Sequence, residues 1–379
     1  MSRIREIQVV PLRYQFDASA AYGSARGLTT GRGGSIVIVQ TEDGIEGIGE
    51  AWGPGAVSLG YLELLKPHYI GARVHAVRGI AQSILARSYH MGTQNQMISL
   101  MGGIDIAAHD AIGKMFGVSV ADLIGGRLRE RVPVYASGGY FTGDDDHATA
   151  LARQLEPLRN KAYGAYKIKI GRHPDEDAAR VALARRIVGE TPLLTVDSNG
   201  NYTVDGVIES MRRIAGFGIH WYEEPLAPQD WAGYAELAHK SPIPLATGEA
   251  LYGVFDFRRA IDNRLASVLQ PDLTLCGGFD VARTVGALCA AEHLRRSPHC
   301  WGTGVGLAAA LQFMAALPAY PHVANVPYPA LLEYDVGNNP LRDDIFVEPL
   351  RYANGCLEVP SGPGLGVTLD QSALKRFAA

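Results

Sequence analysis

From residue 132 onward the chain repeats one pattern, in which a short apolar segment with strand character is followed by a stretch with helical periodicity. The apolar segments occur eight times, at residues 134–136, 165–170, 193–197, 220–223, 245–249, 268–272, 297–299 and 331–333. Eight strands in strict alternation with helices predict a parallel barrel. An open doubly wound sheet is the competing arrangement. It normally carries a phosphate-binding glycine loop after its first strand, and Tyr-Ala-Ser-Gly-Gly at 135–139 is not one.

The first 131 residues follow a different pattern, in which strands come first and helices later. Strands are predicted at residues 4–12 and 35–40, with a mobile loop rich in Ala, Gly and Ser at 17–34 between them. Asp43-Gly44 separates two alternating apolar runs, which predicts a β-hairpin. Helical periodicity follows at 61–89 and 104–114. We predict an α+β domain at 1–131, a barrel at 132–340, and a segment at 341–379 that packs back on the first domain.

The charge balance and the cysteines restrict the partners of the chain. It has 35 basic and 39 acidic residues, a net charge of −4, and no basic cluster. This argues against binding to nucleic acid or to a membrane, and favours a small-molecule ligand. The four cysteines have neither the spacing of a metal site nor the density of a disulfide framework, and the first residues lack a secretory signal. We therefore expect free thiols and a cytoplasmic protein.

Each predicted barrel strand after the first ends in an ionisable residue. These residues lie 23 to 34 positions apart, about the length of one strand and helix unit: Lys169, Asp197, Glu223, Glu249, Asp272, His299 and Glu333. The carboxyl ends of parallel strands share one rim of a barrel, and the active sites of barrel enzymes lie at that rim. Because unpaired buried charges are costly, we expect these side chains to form a functional site.

Three consecutive strand ends carry acids, namely Asp197, Glu223 and Glu249. Carboxylate ligands on adjacent strands suit an octahedral Mg²⁺ that keeps positions open for substrate and water. No cysteine or histidine belongs to this set, which argues against zinc. A single acid at a strand end would more often cap a helix or pair with a lysine. Three acids in the same register favour a magnesium site instead.

The other strand-end residues predict acid and base groups. Lys167 and Lys169 lie on the same face of one strand, where mutual repulsion and a nearby cation would let one of them lose its proton near neutral pH. The alternative is an exposed edge with two solvated lysines. Asp272 would fix the tautomer of His299 and raise its basicity, giving a second acid or base. Glu333 could donate a proton or hydrogen bond to a substrate carboxylate, or it could cap a helix.

Removal of the α-proton of a carboxylate would use all of these groups, because the enediolate that forms needs a divalent cation. The chain closely resembles the mandelate racemase subgroup of the enolase superfamily. The matching motifs are Tyr-Lys-Ile-Lys-Ile-Gly at 166–171, Val-Asp-Ser-Asn at 196–199, Tyr-Glu-Glu-Pro at 222–225, Gly-Glu at 248–249, Gln-Pro-Asp at 270–272 and Pro-His at 298–299.

The resemblance implies a modified (β/α)7β TIM-type barrel with an N-terminal α+β capping domain that the C-terminal segment completes. It implies Lys169 and His299 as the acid and base pair, with Lys167 as the electrostatic neighbour of Lys169. It also places Glu224 next to the metal ligands. Homologous enzymes assemble into dimers or octamers, so the resemblance implies a homo-oligomer as well.

The C-terminal third is most similar to the galactarolactone cycloisomerases, which open the lactone of an aldaric acid by β-elimination. The similarity is carried by residues 299–305, 309–316, 332–335 and 339–341. The capping loops at 14–34 and 51–58 differ, and in this superfamily they select the substrate. We predict contacts to a distal carboxylate or to hydroxyl groups of the substrate from five residues: Tyr22, Arg26, Arg32, Trp52 and Asn199. A loop arginine could instead simply be solvated.

Other functions fit parts of the pattern. The same enediolate chemistry would serve a sugar acid dehydratase, or a racemase or epimerase that acts at the α-carbon. A metal-free barrel with a Schiff-base lysine is disfavoured, because three acids beside Lys169 would bind a cation. A non-catalytic barrel is disfavoured because none of the seven strand-end residues is apolar. In each enzymatic reading the partner is a small carboxylate, either a sugar acid or its lactone.

Overall fold

The structure, a computed structural model, describes residues 2–92, 94–144, 146–319 and 329–379. The N-terminal region contains a three-stranded antiparallel sheet, in the order β1-β4-β5, and four α-helices. Its elements are β1 (Ile4–Gln15), β2 (Tyr22–Ser24), β3 (Gly27–Thr29), β4 (Gly31–Thr41), β5 (Glu46–Ala51), α1 (Gly55–Tyr69), α2 (Val77–Arg87), α3 (Gln96–Phe116) and α4 (Val120–Ile124). Alternate residues of β4 serve two cores. Val37 and Val39 pack among the N-terminal helices, whereas Ile36 and Ile38 belong to the core of the barrel.

Eight parallel strands form the predicted barrel. They are β6 (Arg131–Ser137), β8 (Ala165–Lys169), β9 (Leu193–Asp197), β10 (Ile219–Glu223), β11 (Leu245–Thr247), β12 (Val268–Leu269), β13 (Arg295–Arg296) and β14 (Leu332–Asp335), while the short β7 (Phe141–Thr142) lies outside the barrel. Neighbours in sequence pair with each other, and β14 returns to pair with β6. The circle closes where the Glu333 amide donates to the Pro298 carbonyl at 3.4 Å.

Helices cover the outside of the barrel. They are α5 (His147–Leu155), α6 (Pro174–Val188), α7 (Val204–Ile214), α8 (Trp231–Lys240), α9 (Gly253–Asp262), α10 (Leu273–Cys276), α11 (Gly278–Ala291), α12 (Gly304–Ala316), α13 (Pro340–Asp343) and α14 (Gln371–Phe377). The hairpin β15 (Tyr352–Ala353) and β16 (Cys356–Glu358) adds to the start of β6. The last residue returns to β1, since the Ala379 amide donates to Pro11 at 3.0 Å. None of the described helices is long and apolar enough to cross a membrane.

Two predictions for the N-terminal region need correction. The single helical stretch at 61–89 is wrong, because α1 and α2 are separate helices with the left-handed Gly71 (φ 77°) between them. The segment at 17–34, predicted as a mobile loop, contains the hairpin β2–β3, and β2 also pairs with β7. This hairpin is therefore anchored to β7, while its tip at residues 26–28 is exposed.

Several strands are shorter than predicted at the rim. The ladder of the seventh barrel strand covers Arg295–Arg296, so the predicted strand at 297–299 is displaced by two residues. Pro298 has no N–H to donate to a ladder, so the seventh strand cannot continue through it. β11 ends at Thr247, two positions before its predicted end, because the next residue, Gly248, has φ 138°. The functional side chains Glu249, Asp272 and His299 therefore lie in the first loop residues, where they can turn towards the centre of the barrel.

Candidate active site

A cavity of about 640 Å³ opens at the carboxyl ends of the barrel strands, next to the hairpin β2–β3. Seven predicted site residues line it, five of them from the barrel, namely Lys169, Asn199, Glu249, His299 and Glu333. The N-terminal region supplies part of the wall through the hairpin, which carries Arg26, and through Trp52, which follows β5. A concave site that joins charged strand ends to loops of another region is the expected place for a ligand.

Asp197, Glu223 and Glu249 form an acidic group at this cavity, with Glu249 in its lining. One carboxylate oxygen of each lies within 4.8 Å of the other two. Asp197 and Glu223 are fully buried, and 18% of the Glu249 side chain is exposed. No described residue donates a hydrogen bond to Glu249 Oε2, which is itself buried. Three carboxylates that include an unsatisfied buried oxygen fit a hard divalent cation such as Mg²⁺.

Acids outnumber basic groups at this rim. Six carboxylates, of Asp197, Glu223, Glu224, Glu249, Asp272 and Glu333, meet the side chains of Lys167, Lys169 and His299. Burial raises the pKa of Glu223 to about 7, although Lys167 lowers it. Burial and then Glu249 raise the pKa of Glu224 well above its usual value. A bound divalent cation would balance this excess of buried negative charge.

Both lysines of β8 bind acids. Lys167 Nζ donates to Glu223 Oε1 and lies 2.7 Å from Glu333 Oε1, and Lys169 Nζ lies 2.5 Å from Asp197 Oδ2. The alternative of two solvated lysines is wrong, because their exposed fractions are 0% and 9%. Burial opposes the charge on Lys169, but Asp197, together with Glu249 and Glu223, raises the pKa of Lys169 above its usual value.

The expected repulsion between the lysines is therefore too weak to deprotonate Lys169 in this arrangement. Lys167 does lower the pKa of Lys169, but by less than Asp197 raises it. Lys167 is itself neutralised by Glu223 and Glu333, and its own pKa is raised well above the usual value although burial opposes the charge. A cation that shares the Asp197 carboxylate would weaken the attraction that keeps the proton on Lys169.

His299 and Asp272 form the second predicted pair. His299 Nδ1 lies 2.7 Å from Asp272 Oδ2, and Asp272 Oδ1 accepts from the amide and the hydroxyl of Thr274, both at 2.7 Å. The other ring nitrogen, Nε2, lies 3.5 Å from Glu249 Oε2 and 3.5 Å from Glu333 Oε2. Burial opposes the charge, but Glu249, then Glu333 and Asp272, raise the pKa of His299 to about 10. The imidazole is thus oriented by Asp272 and protonated.

Glu333 connects Lys167 to the loop after β13. Its Oε1 contacts Lys167, and its Oε2 accepts from the Cys300 amide at 3.2 Å. Burial would raise its pKa, but Lys167 and then His299 hold the pKa of Glu333 well below its usual range. An ionised carboxylate accepts hydrogen bonds, so this charge state does not favour the donor role that the sequence suggested for Glu333. That role remains a prediction.

Three of the five predicted substrate contacts reach the cavity. Arg26 lies on the tip of the hairpin and Trp52 follows β5, and both line the cavity together with Asn199. Arg26 Nη1 donates to the backbone carbonyls of Asn199 and Gly200 at 3.3 and 3.4 Å, which fixes the hairpin over the end of β9. The backbone N–H of Asn199 donates to Asp197 Oδ1 at 2.8 Å. These contacts place the hairpin directly over the acidic side of the site.

Tyr22 and Arg32 lie behind the cavity wall, so the structure does not support their predicted contact with substrate. Arg32 Nη2 lies 2.6 Å from Asp335 Oδ2, its Nε donates to the Tyr22 hydroxyl, and its guanidinium stacks 4.3 Å from the Trp301 ring. The polar ends of both side chains are used by the protein itself. In this structure the two side chains support the cavity wall from behind, through their contacts with each other, with Asp335 and with Trp301.

The sequence reasoning missed four residues around the site. Tyr140 and Trp301 line the cavity, and the Trp301 indole donates to the Tyr140 hydroxyl at 3.1 Å. Glu223 Oε2 accepts from the Trp221 indole at 3.0 Å and from Gln270 Nε2 at 2.7 Å. The strand period would have identified Trp221, because it lies two residues before Glu223 on the same face of β10. Tyr140 carries no such signal.

Two family models match the chain. Residues 25–125 match the N-terminal domain of the mandelate racemase and muconate lactonizing enzymes, and residues 150–373 match the enolase C-terminal domain-like model. The second match alone covers more than half of the chain. This protein therefore belongs to the mandelate racemase and muconate lactonizing enzyme family of the enolase superfamily, as its motifs indicated.

Individual relatives extend this result. The chain is 36% identical to D-galactarolactone cycloisomerase of Agrobacterium fabrum over 90% of both chains, and 29% identical to arabinonate dehydratase of Saccharolobus solfataricus over 89% of both. Among solved structures, a racemase from Streptomyces coelicolor with bound magnesium is 27% identical with a TM-score of 0.87, covering 99% of this chain and 100% of that chain. The capping region and barrel of this chain are thus those of its family.

Proposed function

We propose that this protein removes the α-proton of a sugar acid lactone with the help of Mg²⁺, and that it opens the ring by β-elimination, as a cycloisomerase of an aldaric acid lactone such as galactarolactone. The observation that carries the proposal is the order of groups around one cavity. Lys169 ends β8 and His299 follows β13, and the three carboxylates of the metal set lie at or just after the ends of β9, β10 and β11 between them. The name of the 36% identical relative supports the choice of reaction.

Asp197, Glu223 and Glu249 would hold Mg²⁺, which when bound stabilises the negative charge that develops on the substrate carboxylate. Lys169 takes the α-proton at Nζ, and the bond between the β-carbon and the ring oxygen breaks. The ring oxygen leaves as a carboxylate, and the remaining enol takes up a proton to become a keto acid. Asp272 orients His299, the acids around the ring, Glu249 first, favour its protonated form, and His299 supplies that proton from Nε2.

The substrate enters between the hairpin and the strand ends. Arg26 offers a cationic guanidinium for a distal carboxylate, and Asn199 offers an amide for hydroxyl groups. Trp52 and Trp301 give the cavity flat apolar walls, against which a sugar ring can lie. Such a mixed lining suits a polyhydroxylated acid of the size that a cavity of about 640 Å³ accommodates.

The test is a reaction of the protein with Mg²⁺ and galactarolactone in D₂O, followed by NMR. We expect a ring-opened keto acid with deuterium at the former β-carbon, because the α-carbon becomes the ketone, and deuterium at the α-carbon of lactone that has lost and regained its proton. Lys169→Ala should lower the rate at least about 1000-fold, since a general base contributes on this scale. The matched control is Lys240→Ala on α8, where an exposed lysine pairs only with Glu236 and the rate should not change.

A sugar acid dehydratase is the second candidate, because one relative is an arabinonate dehydratase and dehydration uses the same α-proton abstraction. Turnover of open-chain sugar acids, with no reaction of any lactone, would favour the dehydratase and exclude the cycloisomerase. Exchange at the α-carbon without elimination would indicate a racemase or epimerase. No exchange with any acid or lactone in the presence of Mg²⁺ would overturn the proposed chemistry itself.

A further inference from the structure

Glu50 is a buried carboxylate of the N-terminal region that binds a barrel loop and lies outside the cavity lining. It is the fifth residue of β5, and its exposed fraction is 1%. Its Oε1 accepts from the Thr303 amide at 2.8 Å, and its Oε2 accepts from the Thr303 hydroxyl at 2.6 Å and from the Gly306 amide at 2.7 Å. All three donors belong to the loop after β13 and to the first turn of α12.

Three glycines surround this carboxylate. A Cβ atom at Gly302 would lie 2.3 Å from Glu50 Oε1, one at Gly306 would lie 2.9 Å from Oε2, and one at Gly34 would lie 3.0 Å from Oε1. No side chain fits at Gly302 while Glu50 holds this position. The glycines therefore form a socket that admits the carboxylate up to the backbone amides at the start of α12, where the helix dipole also favours a negative charge.

The loop bound by Glu50 carries two groups of the candidate active site, His299 and Trp301. The same end of β5 also binds the neighbouring loop, since the Trp52 amide donates to the Thr274 carbonyl at 3.0 Å. Thr274 in turn binds Asp272, the partner of His299. Glu50 and Trp52, on either side of the last residue of β5, thus bind both loops that carry the His299 and Asp272 pair.

We propose that Glu50 is a positioning residue for His299. The N-terminal region then not only closes the cavity but also fixes the position and orientation of one of the two acid and base groups. This inference rests on the proposed function, because it assumes that His299 and Lys169 perform different steps. Glu50 touches neither the cavity nor the metal set, so its effect passes through the loop. A displacement of about 1 Å in such a group can cost about 100-fold in rate.

The test uses the D₂O reaction, where α-proton exchange is measured separately from ring opening, which is followed as formation of the keto acid to which His299 supplies the last proton. Lys169→Ala and His299→Asn define two reference patterns for the ratio of these rates. Glu50→Gln should reproduce the pattern of His299→Asn with a fall of about 10- to 100-fold in kcat, little change in KM, and partial recovery in Glu50→Asp. If Glu50→Gln does not fold, Glu50→Asp keeps the carboxylate and should show the same pattern in weaker form.

Asp110→Asn is the matched control. Asp110 is also a fully buried carboxylate, and it accepts from the Ile48 and Leu365 amides at 2.8 and 2.7 Å, away from the rim. This variant should lose stability while the ratio of exchange to opening stays that of the wild type. A wild-type ratio in the Glu50 variants, or the pattern of Lys169→Ala, would overturn the inference. A wild-type protein that exchanges no substrate would overturn the proposed function instead.

Discussion

Two groups of buried charges lie between the N-terminal region and the barrel, and they differ in their balance. The rim cluster holds the three carboxylates of the metal set together with Lys167, Lys169, His299 and the further acids around them. The hairpin cluster holds two arginines and two acids, Arg32, Arg342, Asp335 and Asp343, of which Asp343 lies at the surface with 49% of its side chain exposed. Arg32 and Asp335 are each 3% exposed, as deeply buried as most of the rim. Only the rim has more acids than cations.

This difference distinguishes buried charges that stabilise the fold, in the hairpin cluster, from buried charges that are suited to binding a ligand, at the rim. In the hairpin cluster every charged group has a partner of opposite sign, at 2.6 Å for both Arg32 with Asp335 and Arg342 with Asp343. Buried oxygens that accept no hydrogen bond from any described residue occur in both clusters, at Glu249 Oε2 and Glu224 Oε1 of the rim and at Asp335 Oδ2 of the hairpin cluster. The rim differs in that six carboxylates share three basic side chains. Burial alone therefore does not mark an active site. An uncompensated excess of one sign inside a cavity does.

The largest effect on stability is expected from breaking the hairpin cluster. Arg32→Met leaves Asp335 buried with only the more distant Arg342 at 3.6 Å, and removal of one partner of a buried pair costs about 3 kcal/mol or more. The free energy of unfolding, measured by urea denaturation, should fall by this amount. Arg213→Met breaks an exposed pair with Asp175 and should change it by less than about 0.5 kcal/mol.

A double-mutant cycle shows whether the pair itself is responsible. Adding Asp335→Asn to Arg32→Met should recover part of the loss, because the second substitution removes the buried charge that the first left without its partner. Strict additivity of the two single losses would show that Arg32 acts through packing against Trp301 alone.

Magnesium should stabilise the protein through the rim cluster and not through the hairpin cluster. Ligand at 100 times its dissociation constant adds about 2.7 kcal/mol to the free energy of unfolding. We expect a gain of this size for the wild type and for Arg32→Met, measured as the shift in unfolding midpoint during Mg²⁺ titration. Glu249→Gln removes one ligand charge and should lose most of the gain. An equal gain in Glu249→Gln would show that the cation binds elsewhere.

The strand-end residues could be predicted from the sequence because their positions follow from regular structure. A parallel barrel brings the ends of all strands to one rim, so equal spacing along the chain becomes proximity in space. Asp197, Glu223 and Glu249 lie together for this reason, although the last of them follows its strand by two residues. The register of β8 likewise places Lys167 and Lys169 on one face. The barrel and the candidate metal set therefore needed no information from the loops.

The residues of the N-terminal region could not be predicted in the same way. Arg26 and Arg32 look alike in a Gly-rich segment, and only the tertiary contacts direct one to the cavity and the other to Asp335. Glu50 gave no signal, because an acid in a short strand is usually solvated. Its partners, Thr303 and Gly306, lie far along the chain. The periodicity at 61–89 could not show that Gly71 adopts a left-handed conformation and separates two helices.

A third charged group can be compared with these two clusters. Like the rim it combines acids with a histidine, and like the hairpin cluster it has arginines near its acids. Asp105 and His109 of α3 lie close to Asp280 of α11, and one carboxylate oxygen or ring nitrogen of each lies within 4.8 Å of those of the others. His109 Nδ1 lies 2.8 Å from the Asp105 carbonyl and 3.4 Å from its carboxylate. Arg78 on α2 lies 3.7 Å from Asp280. Burial and then Asp105 raise the pKa of Asp280, whereas His109, Arg78 and Arg283 lower it. Three basic groups of the protein thus oppose the charge of these two acids.

Protonated His109 should therefore stabilise the contact between α3 and α11 in a pH-dependent manner. Burial opposes its charge, but Asp105 and then Asp280 raise the pKa of His109 from 6.5 to about 9. A raised histidine pKa gives stability that is complete below pH 6.5 and is lost as the pH rises through about 9. We expect His109→Gln to be less stable than the wild type by about 1–3 kcal/mol at pH 6, with the difference shrinking towards pH 10. A difference that is independent of pH would mean that His109 is neutral and packs only through its ring against Phe279. In that case the acids of this group would be uncompensated like those of the rim, and the balance of charge would no longer distinguish the two clusters.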